Sequence, residues 1–321
     1  MNKNLRKWIE QFREWAVYAV TFTFLLVAIR LLEDKPPLKG IVESLHSSKF
    51  LGILQNLSIL AVVILFFKEA PARKKTEQYE AWRVINSAYG QRTSGGRIQA
   101  LQDLNNNKVS LAGLTADKAY LGGICLKGAD LRYANLQGAN LRYANLWGAD
   151  LRNANLQQAD MIYADLRKAN LRYANFQGEG TNLSYANLQE AYLRNANFQE
   201  AYLWNANLQG SDLSYANLQE TDLRYANLEG ANLSYANFQR ADLSPANLQN
   251  VNLQGTDLRD ADLRSVQNLS PEQVKLARNW EHGKYNEALH TQLGLPLLIT
   301  KATEDTEDFY PPSDLFHPPF D

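Results

Sequence analysis

The chain has 321 residues with 33 basic and 34 acidic side chains, a formal net charge of −1. That length leaves room for two domains, and the balanced charge gives neither the basic field of a nucleic-acid binder nor the acidic field of a DNA mimic. A single cysteine, Cys125, excludes a disulfide framework and a zinc cluster, and His46, His282, His290 and His317 are too scattered to form a metal site.

Residues 1–70 hold two apolar runs. Trp15–Leu32 has Arg30 as its only charge, near the end, and Phe50–Phe67 has no charge, only Gln55, Asn56 and Ser58 among its polar residues. At about 1.5 Å per residue each run is ~27 Å long as a helix, enough to cross a bilayer core with Arg30 reaching the interface. Glu10 and Glu14 precede the first run and no small-residue cleavage site follows it, so a signal peptide fits poorly. Basic residues flank the pair on its outer ends (Lys3, Arg6, Lys7 and Arg13; Lys68, Arg73, Lys74, Lys75 and Arg83) against Lys35, Lys39 and Lys49 in the loop. This bias puts both termini on the cytoplasmic side. Gln55 and Asn56 suit hydrogen bonding across the hairpin or across a homodimer. No selectivity-filter-like segment lies between the runs to suggest a channel.

Residues 71–108 read as a helical linker and N-terminal cap. Thr76–Tyr89 is amphipathic through Tyr79, Trp82, Val84, Ile85 and Ala88, Gly95-Gly96 breaks it, and Arg97–Leu104 forms a second short helix.

From Val109 to Val266 the chain repeats A-[DN]-L-x-x. With the large apolar residue as centre, 28 centres run from Leu126 to Phe176 and from Leu183 to Leu263, 24 of them Leu, with Phe176, Phe198, Phe238 and Met161 as the others. The residue two before the centre is Ala in 22 cases, and the one between is Asp or Asn in 25, the exceptions being Cys125, Tyr192 and Tyr202. Leu111, Ala116 and Leu121 extend the array backwards. A period of five fits no α-helix, whose stripe would wander at about 100° per residue, and no continuous strand, which would send every second Leu into water. It fits a chain that turns once per unit, with Ala and Leu inward and Asp or Asn outward. Four sides then make a coil of about 20 residues, and coils stack at the ~4.8 Å strand spacing. About eight coils give a rod of roughly 37 Å. Glu179-Gly180 is a two-residue insertion expected to bulge from a corner.

These units resemble the pentapeptide-repeat family, and the flanks Ala81–Asn105 and Ser270–Pro296 look like its cyanobacterial members. The resemblance implies an all-β solenoid, a right-handed quadrilateral β-helix. It also implies roles either as DNA mimics that protect topoisomerases or in localisation and assembly at membranes.

Counting sides in fours aligns Phe176, Phe198 and Phe238 in an interior column, and Gln137, Gln157, Gln177, Gln199, Gln219 and Gln239 in a surface amide ladder. It also aligns Arg132, Arg152, Arg172 and Arg194, with Tyr133, Tyr173, Tyr215 and Tyr235 beside them. This face is the candidate interaction surface for an acidic partner or lipid headgroups, and the same columns would serve coil-to-coil stacking.

Residues 267–295 read as a C-terminal capping helix. Ser270-Pro271-Glu272-Gln273 gives a strong start, and Val274, Leu276, Ala277, Trp280, Tyr285 and Leu289 suit the last coil; His282 and His290 read as surface histidines. Residues 296–321 form an acidic, Pro-rich tail, with Glu304, Asp305, Glu307, Asp308, Pro311, Pro312, Pro318 and Pro319, whose composition points to disorder or loose packing.

No enzyme is expected. Ala and Leu leave no interior cavity, the recurring Asp positions interchange with Asn, and no phosphate loop, metal-spaced cluster or nucleophile set appears. Neither cofactor nor small-molecule substrate is therefore expected. The sequence reads as a membrane-anchored scaffold in the plasma or thylakoid membrane. Its rod would be cytoplasmic, its partners the lipid bilayer and a protein. The alternative is a DNA-mimic modulator of a type II topoisomerase. Between Val109 and Val266, 16 acidic and 13 basic side chains leave a net of only −3, too sparse for mimicry, and no nucleic-acid binding is expected.

Overall fold

The computed structural model describes residues 74–87, 94 and 96–296. Both apolar runs and the tail beyond Pro296 lie outside the described residues. Among the described residues no helix is long and apolar enough to cross a membrane.

The repeat folds as its period requires. Parallel bridges join each Asp/Asn position to the one 20 residues on, as in Asn135↔Asn155 and Asp130↔Asp150, so four five-residue sides make one coil. A regular side adds three ladder bonds to the next coil: Leu131 N–H donates to the Asp150 carbonyl (2.8 Å), Tyr133 N–H to the Arg152 carbonyl (2.9 Å) and Asp150 N–H to the Ala129 carbonyl (2.9 Å). Each corner is a turn closed by a bond such as Ala134 N–H to Leu131 O (3.1 Å). Its third residue has positive φ, the type II pattern. Gly fills that position at Gly138 and Gly148 and Asn at Asn153 and Asn195, while Tyr133, Tyr143 and Tyr163 accept φ of 57–60°.

The interior is closed. All 28 centres are at most 2% exposed, and Ala two before each is as deeply buried. Where Ser or Thr replaces Ala, a bond inside the wall satisfies the hydroxyl, as when Thr221 Oγ1 donates to Phe198 O (2.9 Å) and Ser211 Oγ to Leu208 O (2.6 Å). Phe176 and Phe198 stack in this core with centroids 4.5 Å apart. Phe238 lies on the same side but is separated from them by Leu218, so the expected aromatic column is a stacked pair and a single ring. The inserted residues form an exposed turn closed by Thr181 N–H to Gly178 O, and the bridge interval lengthens to 22 there (Asp160↔Asn182).

Both open edges are covered. Helix α1 occupies residues 74–87, and Ile85 joins the core while Tyr79, expected on the packed face, is 72% exposed. Tyr79 lies six residues before Ile85, about 600° round the helix, which turns it about 120° away from the packed face. Helix α2, Arg97–Asn106, starts after Gly96 at φ 84° and buries Leu101 and Leu104. Its Gln102 accepts from Cys125 N–H (2.8 Å) and its Asn105 donates to Lys127 O (3.1 Å), satisfying edge groups of the first coil.

At the other end the expected long helix is broken into pieces. Helix α3, Pro271–Lys275, has the full capping box of Ser270 and Gln273 but stops after five residues. The chain then continues the ladder: Gly255 N–H donates to Leu276 O, Leu258 N–H to Arg278 O and Asp260 N–H to His282 O. Strand β1, Asp262–Leu263, pairs in parallel with β2, Lys284–Tyr285, before helix α4, Glu287–Leu293. Unpaired edge amides and carbonyls need partners, and a continuous helix would leave them none. Leu276 is consequently 57% exposed, its carbonyl rather than its side chain serving the cap. His282 is exposed, but His290 is buried on α4, against the expected surface position.

Candidate interaction face

The register sorts the surface into four sides. Side A carries centres 131, 151, 171, 193, 213, 233 and 253; side C, opposite, carries 141, 161, 183, 203, 223, 243 and 263; B and D lie between them. Assigning every charged side chain of 109–266 to its side gives +1 for A, −2 for B, −1 for C and 0 for D, with Glu179 in the inserted turn. Side A is the sole side with net positive charge, from four arginines against Asp130, Asp150 and Asp212. All eight residues of the predicted face lie on it: Arg132, Arg152, Arg172 and Arg194 in one column, Tyr133, Tyr173, Tyr215 and Tyr235 in the next.

The four arginines are not equivalent. Arg132 Nε donates to Asp130 Oδ1 at 2.7 Å and Arg152 Nη2 to Asp150 Oδ2 at 2.7 Å. The Arg132 bond holds the Asp130 carboxyl well below the usual range, and Asp130 in turn raises Arg132. The local motif is D-L-R: residues two apart flank an inward Leu and meet on the outer wall. Six such triplets occur, and in five of them the Arg bonds its own Asp, at 130/132, 150/152, 165/167, 222/224 and 262/264. In the sixth, Asp257 accepts from Gln239 and Asn279 instead.

Arg172 and Arg194 follow Asn170 and Tyr192, so this pairing is denied them. Their guanidiniums sit 5.0 Å from the ring centroids of Tyr192 and Tyr215 respectively. No carboxylate among the described residues lies within 4 Å of either. Tyr173, Tyr192 and Tyr215 beside them are 59%, 46% and 48% exposed, and Tyr215 stacks on Tyr235 at 5.0 Å. The result is a cationic and aromatic patch at mid-rod, able to take carboxylates edge-on and rings face-on.

Sequence reasoning aligned this face but missed its inner difference and missed Tyr192. The signal was present: the residue two before each Arg decides whether the charge is neutralised. The column of outward Asp/Asn positions was also under-read. Their Oδ1 atoms accept from the backbone N–H two residues on, as Asn135 does from Gln137 (3.3 Å) and Asn207 from Gln209 (3.2 Å). Asp and Asn serve equally as that acceptor, which explains their interchange. The expected Gln ladder is partial: Gln177 donates to Gln199 (3.3 Å), but Gln219 turns to Glu220 and Gln239 to Asp257. Asn carries the longer ladder, with Asn217 donating to Asn197 and Asn237 to Asn217.

Among the described residues no group of three or more His, Cys, Asp or Glu could hold a metal ion. The depression lined by Arg240, Asp242, Asp260, Asp262 and Lys284 lies open at the C-terminal cap and mixes both signs of charge.

The family described as "Pentapeptide repeats" matches this chain in 8 copies between residues 119 and 270. HetL, a pentapeptide-repeat protein involved in heterocyst differentiation regulation in the cyanobacterium Nostoc sp. strain PCC 7120, is 32% identical over 56% of this chain and 78% of its own, with a TM-score of 0.43. The chain belongs to the pentapeptide-repeat family. Rfr23 of the cyanobacterium Cyanothece 51142 is likewise 32% identical, over 36% of this chain and 82% of its own, at a TM-score of 0.17. QnrB1, a plasmid-mediated fluoroquinolone resistance protein, is 21% identical over 59% of this chain and 92% of its own, at a TM-score of 0.40. No curated protein matches. In this pentapeptide-repeat chain the inward Ala and Leu positions follow the repeat, and Arg172 and Arg194 are outward side chains set upon it.

Proposed function

We propose that the chain is a membrane-anchored, non-catalytic scaffold whose rod uses side A to hold a protein partner on the cytoplasmic face. The observation that carries the binding part is the Arg172–Arg194 patch, two cations backed by exposed rings rather than by carboxylates. Such groups are partly desolvated by their aromatic neighbours yet keep their donors free for an incoming carboxylate. Anchoring rests on the two apolar runs and their basic outer flanks.

Carbonate extraction and protease access test the location. The chain stays in the membrane pellet and the rod is cleaved only from the cytoplasmic side; release into the soluble fraction, or cleavage from outside, contradicts it. Binding is tested by purifying the full chain in mild detergent at rising salt. Proteins held through an exposed cationic face leave as the Debye length falls from about 10 Å at 0.1 M to about 3 Å at 1 M. Retention that ignores salt contradicts the use of this face.

A further inference from the structure

The patch at Arg172 and Arg194 has a chemical complement within the same chain. Residues 304–310 read Glu-Asp-Thr-Glu-Asp-Phe-Tyr, four carboxylates followed by two aromatic rings. The segment lies outside the described residues, and the described chain ends at Pro296, just past the C-terminal cap. From the last side-A centre, Leu253, the level of Arg194 is three coils back and that of Arg172 four, about 14 and 19 Å at strand spacing. Glu304 is eight residues beyond Pro296 and Asp308 twelve, a reach of up to about 26 and 40 Å. Set against those levels, this reach leaves about 12 Å for Glu304 and about 21 Å for Asp308 to cross the cap to side A.

The charges of the array select the side. B and C carry net negative charge and D none, and on C all three arginines are engaged: Arg264 with Asp262 (2.6 Å), Arg224 with Asp222 (2.8 Å) and Arg142 with Asp160 (3.3 Å). Only on side A do two guanidiniums lack a carboxylate partner, and there the exposed rings of Tyr173 and Tyr215 offer contact for Phe309 and Tyr310. Each ion pair at such a surface is weak alone. Tethering raises the local concentration of the segment to roughly millimolar, which lets several weak contacts close together.

We propose that the segment Glu304–Tyr310 folds back onto the Arg172–Arg194 patch of its own rod, covering the docking face until a more acidic or better fitting partner displaces it. This rests on the reading of that patch as a docking surface. It makes the tail a competitor built into the scaffold, so partner binding is set by displacement and not by bare affinity.

The test is photo-crosslinking in the full-length chain, in membranes, with p-benzoylphenylalanine in place of Tyr173. The expected product joins position 173 to residues 304–310 of the same chain, at a yield independent of dilution. Arg172→Glu/Arg194→Glu lowers that yield roughly tenfold, as reversing the sign of several contacts requires. Adding Glu304→Lys, Asp305→Lys, Glu307→Lys and Asp308→Lys restores it. Unchanged β circular dichroism, and the milder Arg172→Gln/Arg194→Gln pair, guard against loss of fold. A yield indifferent to charge reversal, or a crosslink that vanishes on dilution, overturns the proposal. A crosslink to another protein that needs Arg172 and Arg194, with none to the tail, also overturns it but leaves the docking reading intact. Crosslinks to neither overturn both.

Discussion

Sides A and C are opposite walls of the same coils, built on the same Leu and Ala and turned by the same positive-φ corners, yet they treat their surface groups differently. On side C, Tyr143, Tyr163 and Tyr185 stack at 5.2 and 4.8 Å, and Trp204 continues the column edge-on to Tyr225. Side C also ties Arg224 and Arg264 to Asp222 and Asp262. Side A interrupts its Tyr column with Asn153 and Asn195 and leaves Arg172 and Arg194 over rings alone. A period of five therefore dictates the interior on every side alike. The outward character is written in three other positions per unit: the two turn residues and the one before the centre. One wall satisfies itself; the other keeps groups to offer.

If the interior is common to both walls, the largest effects will not distinguish them. Leu213→Asp on side A and Leu223→Asp on side C each bury an unpaired charge at a fully covered centre, costing several kcal/mol, and both should abolish β circular dichroism. Gln219→Asp, on the outer surface, should cost no more than about 0.5 kcal/mol. A difference between the two Leu variants as large as that between Leu213→Asp and Gln219→Asp would break the equivalence. Phe198→Ala comes next, removing the partner of Phe176 from the core at about 3–5 kcal/mol by denaturant midpoint.

The walls should separate at their tyrosines. Tyr163→Asn keeps a residue that tolerates the corner conformation but breaks two ring contacts, for about 1–3 kcal/mol. Tyr173→Asn makes the same backbone exchange where no ring stacks, and should stay within about 0.5 kcal/mol. Equal losses would mean that the side A column is structural.

The acid response sharpens the same contrast. Asp130 on side A is depressed chiefly by its bond to Arg132. Its stabilisation is present above the unfolded value of about 3.9 and is lost as pH falls below it. Asp242 on side C is raised, first by burial and then by Asp262 and Asp222 beside it. Its contribution is present below about 3.9 and is lost as pH rises through the raised value. Asp242→Asn should therefore raise the melting temperature slightly at pH 7 and leave it unchanged at pH 3, while Asp130→Asn lowers it at pH 7. The smallest effect is on DNA gyrase. The full chain in detergent at low ionic strength should leave supercoiling untouched, since a net of −3 along the array falls far short of one charge per ~1.7 Å of duplex.

The wall was legible because the centres keep one phase from Leu111 to Phe176 and again from Leu183 to Leu263, and each buried position tolerates only a few side chains. The two-residue insertion was legible for the same reason, as a break in that phase. The C-terminal cap was not: Ser270 and Pro271 announce a helix, but nothing local says that Leu276, Arg278 and Lys284 will be drawn into the ladder of the last coil. That demand comes from unpaired backbone groups far away in sequence. The face was half legible. Its columns follow from counting in fours, whereas the neutralisation of Arg132 and Arg152 but not of Arg172 and Arg194 depends on Asp130, Asp150, Asn170 and Tyr192, which alignment by centres passes over.

The central claim, that side A and not side C is the docking wall, is tested by reversing matched pairs of charges. Arg172→Glu/Arg194→Glu on side A and Arg142→Glu/Arg224→Glu on side C change net charge equally, and each full-length chain is purified in mild detergent beside the parent. The proteins retained by the parent should be lost with the side A pair and kept with the side C pair. Retention by the side A variant, or loss with the side C variant alone, would contradict it.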